Sequence, residues 1–195
     1  MVAVRSTHGR AVAVSPWLLG AGLSAAVVLR GAVGGADPPS SIPAAAVFAS
    51  ALFALALAAG WRPSRPSTSA LLIGVAGGAV LIALSLASRP VVVLGAGGAG
   101  ALAFAPVVAV AVTAEEALVR GALFSALMSR WGAVVAVVLT SLVFALVHLP
   151  IYGVTALPLD LAVGLWLGGL RLLTGGIAAP TVAHLLADLS PGWLG

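Results

Sequence analysis

The chain alternates long apolar runs with short polar breaks. The runs cover about residues 11–33, 44–61, 70–87, 133–149 and 159–173, and a last short one ends near residue 189. The breaks, such as 34–43 and 62–69, are rich in glycine, proline, serine and arginine, which mark turns and loops. Runs of about 20 apolar residues match the thickness of a bilayer. The pattern therefore predicts an all-α, polytopic transmembrane helical bundle.

The stretch 91–129 leaves two interpretations open. It forms either two spans meeting near Thr113 or one long helix beginning near Gly100, so the chain has about seven or eight spans. A turn is predicted at residues 130–132, and another at 174–176. Pro150 is expected to stop or kink its helix, with a loop over 151–158.

The N-terminal residues 1–10 form a polar tail, and residues 11–195 are predicted to form a single transmembrane domain. The first apolar run has the basic flank of a signal peptide. It is long for that purpose, however, and further spans follow. A retained first span is therefore predicted.

The amino-acid composition indicates that most of this chain lies in a membrane. It is 62% hydrophobic and 7% charged, whereas soluble domains are about half apolar and about a quarter charged. The basic excess is entirely arginine, and in a membrane protein it reports topology, so no nucleic-acid partner is expected. With seven spans and an inside N-terminus, the cytoplasmic arginines would be Arg5, Arg10, Arg62, Arg65, Arg130 and Arg171. We expect a multi-pass protein of the cell membrane.

Three clusters of polar residues interrupt the apolar runs. A charge at the centre of a membrane helix costs about 2.5–3.5 kcal/mol, so Glu115, Glu116 and Arg120 must face the bundle interior. Glu116 and Arg120 are four residues apart and can pair on one helix face. Glu115 lies about 100° round the helix and stays less neutralised.

The second cluster holds His148, and the third holds His184 and Asp188. If Trp131 is the tip of an antiparallel helix pair, Glu115 and His148 lie about 24 and 25 Å from that tip. Their side chains are therefore expected to meet at one depth. The same stacking leaves His184 about 10 Å short of His148, a gap that it does not close.

Each of these residues also has a structural interpretation. The Glu116–Arg120 pair, His148, and the His184–Asp188 pair could each be ordinary buried or helix-end contacts. Other residues are assigned structural roles, as core, helix start or interface anchor: Phe144, Trp166, Asp160, Arg130 and Arg171. Nearly every ionisable group at membrane depth nevertheless falls into one of the three clusters. This grouping favours one shared cavity.

Such a cavity can hydrolyse an amide. A carboxylate near imidazoles can act as general base on water, and a second polar group can stabilise the oxyanion. The chain has no cysteine and no serine in a nucleophile-elbow pattern. No cofactor is required in this interpretation. Alternatively, Glu115, His148 and His184 are a plausible shell for a divalent metal such as zinc, although the spacing is not that of HExxH.

Three motifs resemble those of a known family. Glu115-Glu116-x-x-x-Arg120-Gly121, Phe144-x-x-x-His148 and His184-x-x-x-Asp188 are similar to the signatures of the CPBP family of intramembrane proteases. This family is the CAAX prenyl endopeptidase and bacteriocin-processing group, also called ABI. The resemblance covers about residues 100–189, which would be the catalytic core. The first 90 residues match only as generic spans.

The resemblance implies an intramembrane endopeptidase that cuts a membrane-associated peptide or protein. Glu115 would activate water, Glu116 and Arg120 would support it, and His148 and His184 would complete the site. Asp188 stands where the family often has asparagine, and an aspartate at this position favours orienting a histidine. A proton-coupled transporter, or a catalytically silent immunity or scaffold protein of the same fold, is the alternative.

Overall fold

The computed structural model describes residues 14–34, 41–87 and 99–190, and these are helical apart from their turns and one extended connection. The elements in chain order are α1 (Pro16–Gly34), α2 (Ile42–Ala58), α3 (Thr68–Ala87), α4 (Ala99–Glu116), a π-helical segment (Ala117–Leu123), α5 (Phe124–Tyr152), a 3-10 turn (Val154–Ala156), α6 (Leu157–Thr174) and α7 (Ala178–Leu189). The predicted all-α class is confirmed. The predicted tail at 1–10 and most of the 34–43 loop lie outside the described residues.

Several of these helices can cross a membrane. Within the described ranges, three stretches are long and apolar enough to do so: Pro16–Gly34, Ala105–Tyr152 and Val154–Thr174. Two shorter apolar helices, Ile42–Ala58 and Thr68–Leu84, accompany them. The chain is thus a helical integral membrane protein. The total of seven or eight spans stays a prediction.

From Ala99 onward, the ambiguous stretch before the 130–132 turn is one long helix. Thr113 lies inside α4, which runs through the π-helical segment into α5, so two spans meeting at Thr113 are wrong. Gly132 breaks α5 with φ 83° and ψ 177°, a backbone conformation that glycine adopts readily. This break is the predicted turn.

The connection between α5 and α6 is shorter than the predicted 151–158 loop. Pro150 lies in the last turn of α5, which continues to Tyr152, and α6 begins at Leu157. A proline near a helix end removes a single backbone donor, so the helix can still complete its turn. The short connection keeps α5 and α6 close together.

Small residues bring the helices around the site into close contact. A Cβ added at Gly164 of α6 would lie 2.9 Å from Ser141 Cα of α5. One added at Gly74 of α3 would lie 2.9 Å from the Ala179 carbonyl oxygen of α7. Small residues allow such backbone approach in lipid. The α7 helix packs most extensively against α3 and also contacts α4 and α6, so one of its faces, which includes His184, lies in the bundle interior.

Candidate active site

The residues predicted for the site come together from four elements of the bundle. Two acids end α4, one arginine lies in the π-helical segment, and the remaining residues lie in α5 and α7: Glu115, Glu116, Arg120, His148, His184 and Asp188. Glu116 and Arg120 are fully buried, His184 is 2% exposed and Glu115 is 9% exposed. The 10 Å gap left by simple stacking is closed, since the rings of His148 and His184 lie 6.5 Å apart.

One part of the site is held by internal contacts, although Glu116 Oε2 and Arg120 Nε are buried without a hydrogen-bond partner among the described residues. Glu116 Oε1 accepts hydrogen bonds from Arg120 Nη1 and from His184 Nδ1, each at 3.0 Å. Arg120 Nη2 donates to the Gly164 carbonyl at 3.4 Å, and His184 Nε2 lies 3.6 Å from Asp188 Oδ2. We call Glu116, Arg120, His184 and Asp188 the paired network. The predicted pairing of Glu116 with Arg120 is confirmed.

The other part of the site keeps its polar atoms available. Among the described residues, no side chain forms a hydrogen bond with the Glu115 carboxylate. His148 Nδ1 lies 2.8 Å from the Phe144 carbonyl oxygen. A carbonyl only accepts, so Nδ1 carries a proton and Nε2 is left to act as acceptor. We call Glu115 and His148 the open pair.

The open pair meets the paired network at His184. Glu115, His148 and His184 each offer one ligand atom, and these atoms lie within 4.8 Å of one another. The expectation that Glu115 and His148 meet at one depth is confirmed. A water or a substrate carbonyl placed among the three groups would reach a carboxylate and two imidazoles.

The ring of Phe144 packs against side chains from both parts of the site. Its ring centroid lies 4.5 Å from Arg120 Cζ, 4.3 Å from the His148 ring and 5.3 Å from the His184 ring. An aromatic face under a guanidinium stabilises the buried cation. Phe144 is buried as predicted, but it also lines the site. Trp166, predicted as core, is 39% exposed and donates to the Gly77 carbonyl at 3.1 Å.

Three residues near the site were missed by the sequence analysis. Tyr152 stacks on His148 at 5.6 Å, one helical turn away, and the spacing of four residues was the available signal. Arg30 of α1 lies 4.9 Å over Phe48, so its charge is held against the core of the bundle. A charge within an apolar helix signals such a role. Arg171 Nε donates to the Arg120 carbonyl at 2.9 Å, although it was interpreted as an interface anchor.

A divalent metal fits these residues in part. One carboxylate and two imidazoles form a known zinc ligand set, whose donor atoms lie about 3.4 Å apart around the metal. The open pair suits this chemistry, because His148 Nε2 is an acceptor. His184 suits it less well, because Glu116 and Asp188 face its two nitrogens. His184 could bind a metal only with one of these nitrogens deprotonated.

The fold and the site define a helical membrane protein with a buried cluster of acids and histidines. Residues 97–190 match the family model for Rce1-like type II CAAX prenyl endopeptidases. No curated protein and no solved structure matches the chain. The matched range contains all six predicted site residues, and it begins after α3. The chain therefore carries a domain of this CPBP protease family.

Proposed function

We propose that the protein is an intramembrane endopeptidase that hydrolyses a peptide bond of a membrane-associated peptide or protein. The observation that carries the proposal is the convergence of Glu115, His148 and His184, with their ligand atoms within 4.8 Å, inside a domain of a protease family. A carboxylate without internal partners is costly at membrane depth, so its presence there indicates a functional role. Activation of a water molecule is the role that suits the two neighbouring imidazoles.

The reaction consumes one water molecule. Glu115 takes a proton from water as the oxygen attacks the carbonyl carbon of the scissile bond. The oxyanion that forms accepts a hydrogen bond from His148 when Nε2 is protonated. Glu115 then passes its proton to the leaving nitrogen, the carbon–nitrogen bond breaks, and a carboxylic acid and an amine are released.

The paired network supports the open pair in this scheme. Glu116 accepts from His184 Nδ1 and so fixes the orientation of its ring, as a carboxylate partner does for histidine in many sites. Arg120 neutralises Glu116, and Asp188 holds the other side of the imidazole. No cofactor is required. If a metal such as zinc is bound, Glu115, His148 and His184 would hold it, and it would supply Lewis acidity.

Profiling of new peptide termini in cells tests the proposal without a known substrate. Membranes from cells that express the wild type should contain cut sites that are missing with Glu115→Gln or His148→Ala. Arg65→Gln removes an exposed charge in the α2–α3 loop and serves as the control. Equal cleavage by the wild type and both site variants would refute the site assignment. Loss of purified cleavage activity with a chelator, restored by zinc, would favour the metal alternative.

A further inference from the structure

The main chain of Arg120 is held by a residue that none of the motifs contains. Arg120 lies in the π-helical segment, and the amide of Phe124 bonds to the carbonyls of Val119 and Gly121. The Phe124 amide does not bond to the Arg120 carbonyl, which lies between these two acceptors in the chain. A buried carbonyl left without any donor costs about 1–3 kcal/mol, so a side chain that donates to it here stabilises the segment.

Arg171 supplies that donor from α6. Its Nε lies 2.9 Å from the Arg120 carbonyl oxygen, and its guanidinium lies 5.2 Å over the ring of Phe124. Phe124 is fully buried and directly follows the π-helical segment. The cation and its aromatic partner therefore hold the end of this segment as well as the Arg120 carbonyl.

The α6 helix thus holds both ends of Arg120. The Gly164 carbonyl accepts from Arg120 Nη2 at 3.4 Å, and Arg171 donates to the Arg120 carbonyl. Gly164 and Arg171 are seven residues apart, a spacing that places them on one helix face about two turns apart. One face of α6 therefore spans the length of the arginine, from its main chain to its guanidinium.

We propose that Arg171 is a positioning residue for the catalytic site. By fixing the main chain of Arg120, it sets the guanidinium on Glu116, and Glu116 in turn orients the imidazole of His184. The role in catalysis rests on the function proposed above. The role in holding the π-helical segment does not, because it depends only on the contact between Arg171 and the Arg120 carbonyl.

Three substitutions separate the hydrogen bond from the charge. Arg171→Gln places its amide nitrogen at the same number of bonds from the backbone as arginine Nε, so it keeps the donor and removes the charge. Arg171→Lys keeps the charge but has a methylene group at that position. Arg171→Met removes both. Arg130→Met is the matched control, since Arg130 is exposed and lies over Trp131.

Hydrogen exchange of the purified protein in detergent decides the structural part. The peptide covering 117–124 should exchange about ten-fold faster in Arg171→Met and Arg171→Lys, but near the wild-type rate in Arg171→Gln and Arg130→Met. Unchanged exchange in Arg171→Met would overturn the proposal, and so would equal exchange in Arg171→Gln and Arg171→Met. This measurement needs no substrate, so it stands even if the proposed protease function fails.

Kinetics on a cut site found by terminal profiling decide the catalytic part. Arg171→Met should lower kcat about ten-fold with KM unchanged, and Arg171→Gln should restore most of the loss. A faster exchange accompanied by wild-type kcat would show that the contact is structural only and would overturn the positioning role. A raised KM with unchanged kcat would overturn it as well, because Arg171 would then act on substrate binding.

Discussion

The two halves of the site use the same residue types for opposite purposes. In the paired network, a glutamate binds both a histidine and an arginine, and Glu116 and Arg120 are fully buried. In the open pair, a glutamate and a histidine lie in the same interior, yet Glu115 has no hydrogen-bond partner among the described residues. The comparison teaches that neighbouring identical acids can divide the work of stability and chemistry.

The largest effect is expected from breaking the paired network. Glu116→Gln removes the anion between Arg120 and His184 and leaves a buried guanidinium without a counter-charge. The free energy of unfolding should fall by about 3–5 kcal/mol. Thermal or denaturant unfolding in detergent measures it. The double variant Glu116→Gln, Arg120→Gln should recover part of the loss, and strict additivity of the two single changes would contradict the pairing.

The open pair should behave in the opposite way. His148→Gln keeps the volume of the side chain and a donor for the Phe144 carbonyl, but it cannot gain or lose a proton. We expect cleavage to fall about 100-fold, or about 2.7 kcal/mol of barrier, with a nearly unchanged unfolding midpoint. Kinetics and unfolding of one preparation check both. A loss of stability equal to that of Glu116→Gln would erase the distinction between the two halves.

The open pair was the part of the site that helix geometry could predict. Glu115 and His148 are nearly equidistant from Trp131 along one helical hairpin, and the Gly132 break preserves that register. The position of His184 could not be predicted from its distance to the Gly176 turn. The α7 helix packs mainly on α3, so that contact sets its depth and tilt, and small residues such as Gly74 decide it.

The contacts that support the paired network could not be predicted from the sequence either. No proline lies in the π-helical segment, so its altered hydrogen bonds could not be anticipated. Arg171 at the end of an apolar helix has the pattern of an interface anchor, and only its contact with the Arg120 carbonyl in the folded chain shows its partner. Motifs identified the residues of the site, whereas the contacts that orient them required the packed helices.

A third prediction concerns the packing behind the paired network. A Cβ added at Gly121 would lie 2.5 Å from Trp61 Cδ1, closer than side chains approach. Gly121→Ala should therefore lower the free energy of unfolding by about 1–3 kcal/mol through overpacking. Gly20→Ala in α1 is the control, since nothing lies within 4 Å of its added Cβ. Equal unfolding midpoints for the two variants would show that the π-helical segment or Trp61 can shift to accommodate the added methyl group.

The smallest effect is expected at the edge of the paired network. Asp188 Oδ2 lies 3.6 Å from His184 Nε2, longer than a hydrogen bond, and its side chain is 43% exposed. Asp188→Asn keeps an oxygen that can accept from the imidazole and removes only a solvated charge. Cleavage should change less than ten-fold, or about 1.4 kcal/mol, whereas Asp188→Ala removes the acceptor and should lose more. Equal rates for the two variants would mean that Asp188 does not orient His184. A loss with Asp188→Asn as large as that with His148→Gln would instead place Asp188 with the open pair, because its charge would then act on the reaction.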